Sequence, residues 1–181
     1  MSDQNNTVKR TPLHKRQIEV QGFLREDGLW EVEGHLFDTK SYPLEVDSGK
    51  IPVGQPLHDM TFTLTVDDSL KIVDARATLS ATPYKDCPNA GETYAELIGI
   101  RIKSGWMDEV KEKLKRNKAC THLTELLPTL ATAVIQTIRG YHLNFTPEYK
   151  VSDKDKSKFL DTCYGLRTGG RADRLRWGNK N

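Results

Sequence analysis

The spacing of hydrophobic residues changes type near residue 82, and this change constrains the fold more than any other feature of the chain. Before it, apolar residues alternate with polar ones, as in Met60, Phe62, Leu64 and Val66. A period of two is typical of half-buried β-strands. After it, apolar residues recur every three or four positions, as helices require. Strands followed by helices indicate an α+β domain with an antiparallel sheet rather than alternating βαβ units.

Turn residues divide these patterns into elements. We expect two β-hairpins, at residues 17–37 and 59–80, the first turning at Asp27-Gly28. Three packing helices are expected near residues 89–100, 106–116 and 121–139. Gly140 is expected to end the last helix, and Pro128 to kink it or to mark its true start. Residues 39–57 are rich in proline and indicate a long connection.

Composition and charge describe one domain with polar ends. Hydrophobic residues make up 36% and charged residues 29%, which is a foldable composition. We expect a flexible leader at residues 1–12, a single α+β domain at 13–140 and a basic irregular extension at 141–181. Neither a membrane span nor a secretory signal is visible, so we expect a cytoplasmic protein without a membrane partner. No aromatic stacking platform is interleaved with the charges of the basic tail, and no nucleic-acid partner is expected.

Residues that can bind a metal occur where the predicted elements begin. His58-Asp59 opens a strand, Cys87 precedes a predicted helix, and Cys120 opens the last one. A helix N-terminus lowers the pKa of a cysteine and favours the metal-binding thiolate. Because the two ends of a hairpin lie side by side, we expect His58, Asp59, Cys87 and Cys120 to converge on one mononuclear Zn²⁺ or Fe²⁺ ion.

Proton transfer at such a site is assigned to Asp59 or His122, with His122 also a reserve ligand. A direct nucleophilic pair of Cys120 and His122 is disfavoured on a regular helix, since two residues of spacing turn their side chains apart. The alternative is that Cys87 and Cys120 are small, inert, buried residues and that His58 is an ordinary surface histidine. Cys163 is either a further ligand or an unengaged thiol. Three cysteines in a chain without an export signal make a disulfide framework improbable.

Residues 56–138 resemble the core of the iron–sulfur scaffold proteins of the NifU and SufU type. The resemblance rests on the alternating strand after Asp59, the following strand Ile72-Val73-Asp74-Ala75, and cysteines at two helix starts, Cys87 and Cys120. The first cysteine of those proteins has no counterpart here. The resemblance therefore implies a mononuclear metal site more than an Fe–S cluster.

The whole chain also resembles an uncharacterised bacterial protein family with a Leu-His-Asp-Met motif at residues 57–60 and a Cys-Thr-His-Leu motif at 120–123. A metal at the predicted site would fit lyase, decarboxylase or hydrolase chemistry on a small acidic or carbonyl substrate. The second resemblance implies a catabolic enzyme, acting on an aromatic acid or its thioester. Two alternatives remain: an iron–sulfur or sulfur carrier, and a non-catalytic binding domain. A homo-oligomer is compatible with each.

Overall fold

An antiparallel sheet of four strands is the centre of the computed structural model, which describes residues 8–115, 117–149 and 156–178. In spatial order the strands are β1 (His14–Leu24), β2 (Trp30–Lys40), β5 (Pro56–Val66) and β6 (Ile72–Ala81). Both predicted hairpins are present, each somewhat longer than expected. A short ribbon of β3 (Leu44–Val46) and β4 (Gly49–Ile51) lies inside the connection that was expected to be irregular.

The two faces of the sheet differ as the alternation of the sequence predicts. Val32, Leu36, Met60 and Phe62 point to the inner face and are fully or almost fully buried. The threonines of β5 that alternate with these residues point to the outer face and are half-buried at residues 61 and 63. Burial of the inner face supplies most of the driving force for folding. The fold is therefore α+β, with helices on one face of an antiparallel sheet.

Three helices contribute to this core: a long 3₁₀ helix (Cys87–Leu97), α1 (Trp106–Lys113) and α2 (Thr121–Phe145). The ring of Tyr94, from the 3₁₀ helix, packs edge-on against Phe62 with ring centroids 4.9 Å apart. Helix α2 comes very close to the sheet, since a Cβ placed on Gly34 would lie 2.8 Å from Leu130. Glycine at this strand position allows the close contact between helix and sheet.

Three expectations about the helices were wrong in detail. The first helix begins at Cys87 and is 3₁₀, with Pro88 in its first turn, where a missing N–H is tolerated. Helix α2 begins at Thr121 and runs through Pro128, so the alternative in which Pro128 marks the start of the helix is wrong. It also runs through Gly140 to Phe145, because Gly140 does not adopt the left-handed conformation that ends a helix.

The chain divides into two compact units, the first ending at Ile138 and the second beginning at Arg139. The second unit contains two short helices, α3 (Lys156–Phe159) and α4 (Arg171–Trp177). Within it, the Arg139 guanidinium lies 3.9 Å from the centroid of the Phe159 ring. The extension from residue 141 is thus partly helical in its described residues. The predicted leader falls mostly on residues outside the described ranges.

None of the helices in the described ranges is long and apolar enough to cross a membrane.

Candidate metal centre

A row of polar side chains crosses the inner face of the sheet near one end. Arg16 on β1 lies opposite Asp38 on β2, and Asp38 lies opposite His58 on β5. Residues directly opposite one another in antiparallel strands point to the same face, so the register alone brings the three side chains together. Asp38 Oδ1 accepts from Arg16 Nε and Oδ2 from Arg16 Nη2, both at 2.8 Å. His58 Nδ1 lies 2.9 Å from Asp38 Oδ2.

His122, from helix α2, packs against the His58 end of this row. It lies in the first turn of α2, and its ring centroid is 3.9 Å from that of His58. One ligand atom from each of Asp38, His58 and His122 lies within 4.8 Å of the other two. Asp38 is 1% exposed and His58 6%, while His122 is half-buried. Two imidazoles and a carboxylate thus converge at a place that is largely shielded from water.

The electrostatics of the group suit a metal ion. Burial lowers the pKa of both His58 and His122, so that both rings are neutral near pH 7 and keep a free lone pair. Burial tends to raise the pKa of Asp38, but hydrogen bonds from Arg16 and His58 outweigh it and hold the pKa below its usual value. Asp38 is therefore ionised. Metal binding needs these protonation states, because a ligand must be deprotonated to coordinate.

Oδ1 of Asp38 can still accept one more hydrogen bond or coordinate an ion. A carboxylate oxygen can accept two hydrogen bonds. Oδ2 already has two, with Arg16 and His58, whereas Oδ1 has one from Arg16 and a longer contact of 3.6 Å to His14 Nε2. Donor atoms around a tetrahedral Zn²⁺ ion lie about 3.3 Å apart, given bonds of about 2.0 Å. The three candidate ligand atoms lie within 4.8 Å of one another, so they would have to move closer together to hold one ion.

Asp59 does not join this group. In a strand, consecutive side chains point to opposite faces, so His58 faces the core and Asp59 faces outward. Its Oδ1 lies 2.7 Å from His35 Nε2 on the outer face. His35 also borders an open hollow of about 570 Å³ with Phe37 and Glu19. The structure therefore separates the two neighbours that the sequence analysis placed in one site.

Cys120 lies beside the group but outside it. Its Sγ is 3.9 Å from Nδ1 of His122, a contact that forms because Cys120 precedes the regular helix. The expected lowering of its pKa is not found. Burial raises the pKa of Cys120 and outweighs the hydrogen bonds from the backbone N–H groups of Leu123 and His122.

The other two cysteines differ in their surroundings. Cys87 is a half-buried free thiol. Cys163 is an exposed free thiol in the second unit. Among the described residues, the group of three potential ligands does not include a cysteine.

The sequence analysis missed Asp38 and Arg16, although a signal for Asp38 was present. Val32, Gly34 and Leu36 occupy inward positions of β2, and the same alternation places Asp38 inward too. A carboxylate at a core position is almost never left without a partner. Extending the alternation by one step would have identified Asp38 as a buried, functional candidate.

The fold and this group define a class: an α+β domain with a carboxylate and a histidine on the inner face of its sheet and a second histidine in the first turn of helix α2. The family described as "Protein of unknown function (DUF2889)" matches residues 14–136, so the chain belongs to that family. The matched segment contains Asp38, His58, Cys87, Cys120 and His122. No curated protein and no solved structure matches the chain.

Proposed function

We propose that this protein binds one Zn²⁺ or Fe²⁺ ion through Asp38, His58 and His122 and uses it as a Lewis acid on a small acidic substrate. The observation that carries the proposal is the convergence of three ligand atoms within 4.8 Å of one another on the shielded inner face. Two histidines and one carboxylate form a ligand set known for both zinc and non-haem iron. The pKa shifts of the three groups support the same assignment.

Three protein ligands leave coordination positions open, which is typical of catalytic rather than structural metal sites. A metal there would polarise a bound carbonyl or lower the pKa of a bound water. Hydrolase, lyase and decarboxylase reactions all use this polarisation, and all three remain candidate activities. His122, as a ligand, is then unavailable for the proton transfer that the sequence analysis assigned to Asp59 or His122.

Neighbouring residues would position the ligands. The bidentate Arg16 fixes the plane of the Asp38 carboxylate. Cys120 Sγ lies 3.9 Å from His122 Nδ1 and would interact with that nitrogen. The other ring nitrogen, Nε2, would then bind the ion. In this arrangement Cys120 is a positioning residue and Cys87 lies outside the site.

Metal content and affinity test the proposal and separate it from the ligand set predicted from the sequence. Protein purified without air is analysed for metal and for acid-labile sulfide, and Zn²⁺ affinity of the stripped protein is measured by calorimetry. We expect about one ion per chain, with at least tenfold weaker binding in His58→Asn, His122→Asn and Asp38→Asn. Cys163→Ser serves as the unaffected control.

The cysteine variants give the opposite outcome under the two hypotheses. If His58, Asp59, Cys87 and Cys120 were the ligands, Cys87→Ser and Asp59→Asn would lose the ion and Asp38→Asn would keep it. If the protein were a sulfur or cluster carrier, it would be brown and contain labile sulfide. Either result, or the absence of metal binding, would overturn the proposal.

A further inference from the structure

We propose that the acidic substrate is a carboxylic acid and that its carboxylate binds to Arg16 beside the metal ion, replacing Glu125. This inference rests on the proposed function, since it places the substrate at the same metal. Arg16 links the buried candidate site to the surface of the protein, because it contacts both the buried Asp38 and the exposed Glu125. Three nitrogens of its guanidinium are engaged, two by Asp38 and one by Glu125.

The contacts on the two sides of Arg16 are unequal. Asp38 is 1% exposed and receives two hydrogen bonds of 2.8 Å, whereas Glu125 is 57% exposed and receives one of 3.2 Å. An exposed single ion pair contributes little to stability, while a buried bidentate pair is costly to break. An incoming anion would therefore displace Glu125 and leave Asp38 in place.

The position of Glu125 relates this contact to the metal ligands. His122 and Glu125 are three residues apart on α2 and so lie on the same side of the helix. Arg16 contacts Asp38 with one edge and Glu125 with Nη1. A carboxylate on Nη1 in place of Glu125 would lie next to the group that holds the ion.

The charge of the loaded site favours an anion. A divalent ion with one carboxylate and two neutral imidazoles retains one positive charge, and Arg16 adds a second. His14, whose Nε2 is 3.6 Å from Asp38 Oδ1, is a further polar group on that side. The side chain of Glu125 is itself a carboxylate, so the chain's own group shows which anion geometry Nη1 accepts. Arginine recognises carboxylates well because its donors are planar and fixed.

Two titrations test the inference separately from the proposed function. First, Zn²⁺ binding to the stripped full-length protein is measured; failure at this step contradicts the proposed function itself. Second, acetate and then inorganic phosphate are titrated into the Zn²⁺-loaded protein by calorimetry, with Co²⁺-loaded protein as a spectroscopic check. We expect saturable acetate binding that is tighter than phosphate binding and that perturbs the Co²⁺ spectrum.

A matched pair of glutamate variants tests the displacement of Glu125. Glu125→Gln removes the competing carboxylate and is expected to tighten acetate binding about three- to tenfold. The control is Glu109→Gln, which removes an exposed glutamate paired with Lys103 at 2.9 Å. This change is expected to leave the affinity for acetate unchanged. Arg16→Lys keeps a positive charge next to Asp38 but loses the planar set of guanidinium donors that can bind Asp38 and acetate together. The affinity for acetate should therefore fall at least tenfold.

Three results would contradict separate parts of this proposal. Zn²⁺ binding without an effect of acetate would reject the carboxylate site. Acetate binding that Glu125→Gln leaves unchanged or weakens would reject the replacement of Glu125. Phosphate binding that is tighter than acetate binding would reject a carboxylate as the group that this site recognises. Because Glu125 is exposed and is not a proposed ligand, these outcomes can be read even if Arg16→Lys fails to fold or to bind Zn²⁺.

Discussion

The carboxylate of Asp38 connects stability to the candidate site. It is buried, and its partners Arg16 and His58 approach from the strands on either side of β2. In the apo protein, Asp38→Asn keeps the shape of the side chain but leaves Arg16 facing a neutral group. Removing one partner of a buried ion pair is strongly destabilising, and since Arg16 is 31% exposed we expect a reduced loss of about 2 kcal/mol in unfolding free energy.

Urea unfolding of apo Asp38→Asn measures this loss, and the chain offers a matched control. Asp27 is paired with Arg25 through the same two guanidinium nitrogens, but both side chains are exposed. Asp27→Asn is expected to change the urea midpoint much less. Equal losses for the two variants would mean that burial does not strengthen the Asp38 pair.

The hydroxyl of Tyr94 is a second group on which the site depends. It donates to the Cys120 carbonyl at 2.7 Å and contacts Thr124 Oγ1 at 2.8 Å, so it holds the start of α2, where His122 lies. Burial raises the pKa of this hydroxyl to about 12. Tyr94→Phe leaves the Cys120 carbonyl without this donor and should cost about 1–2 kcal/mol in urea unfolding. Tyr84→Phe, at an exposed tyrosine, is the control and should have no effect.

Two of the three members of the candidate group were named from the sequence, His58 as a ligand and His122 as a proton-transfer residue or reserve ligand. His58 and His122 were identified, because their residue types and their positions at element starts are visible in the chain. Asp59 was predicted as the carboxylate next to His58 because the two are adjacent in the chain, and Asp38 was not among the predicted residues. In a strand the adjacent residue points away, and the true neighbour of His58 is the cross-strand residue Asp38.

At the scale of elements, the contact between β1 and α2 sets how closely the helix covers the sheet. A Cβ on Gly22 would overlap Thr137 Oγ1 and lie 2.9 Å from Thr137 Cβ. Gly22→Ala therefore forces the helix or the strand to shift and should cost about 1–3 kcal/mol in unfolding free energy. Thr137→Ala removes the nearest atom, so the double variant should recover part of the loss. Additive losses in this double-mutant cycle would contradict direct contact.

Gly140, on helix α2, is the control for Gly22→Ala. No atom lies within 4 Å of a Cβ built on Gly140. Gly140→Ala should therefore raise stability by up to about 1 kcal/mol, because alanine is the better helix former. If both Gly→Ala changes were destabilising, the close approach at Gly22 would not explain the first one.

The elements themselves were largely predictable, and the exceptions have physical causes. Alternation and the Asp27-Gly28 turn located both hairpins, since these signals are local. Local signals could not show that Gly140 stays helical, because a glycine ends a helix only where the chain leaves the helix axis at that residue. The ribbon of β3 and β4 was hidden by the prolines that flank such short strands, Pro43 and Pro52.

For the whole molecule, the candidate site depends on the association of segments that are remote in sequence. Asp38 and His58 belong to strands separated by the β3–β4 ribbon, and His122 belongs to a helix that begins after the sheet is complete. The pairing of β2 with β5 and the packing of α2 on the inner face must both form before the three ligands meet. This is why spacing in the chain did not reveal the group, whereas strand register does.

The burial of two neutral histidines gives the apo protein a defined dependence of stability on pH. Burial lowers the pKa of His58 and His122 in the folded state, so below about pH 6.5 the unfolded chain binds more protons than the folded one. The stability they contribute is present above that pH and is lost as the pH falls through their folded pKa. Asp38 adds a second loss at lower pH, below about 4, because its pKa is also lowered in the folded state.

Urea midpoints of chelator-treated protein at about pH 7.5, 6.5 and 5.5 measure the first of these windows. We expect the midpoint to fall as the pH is lowered, and to fall less in His122→Gln, which has one buried imidazole fewer to protonate. Saturating Zn²⁺ should raise the midpoint at the upper pH and lose its effect at the lower one, because protons compete for the same nitrogens. A midpoint that is constant or rises between the highest and lowest pH would show that these histidines are not held neutral by burial.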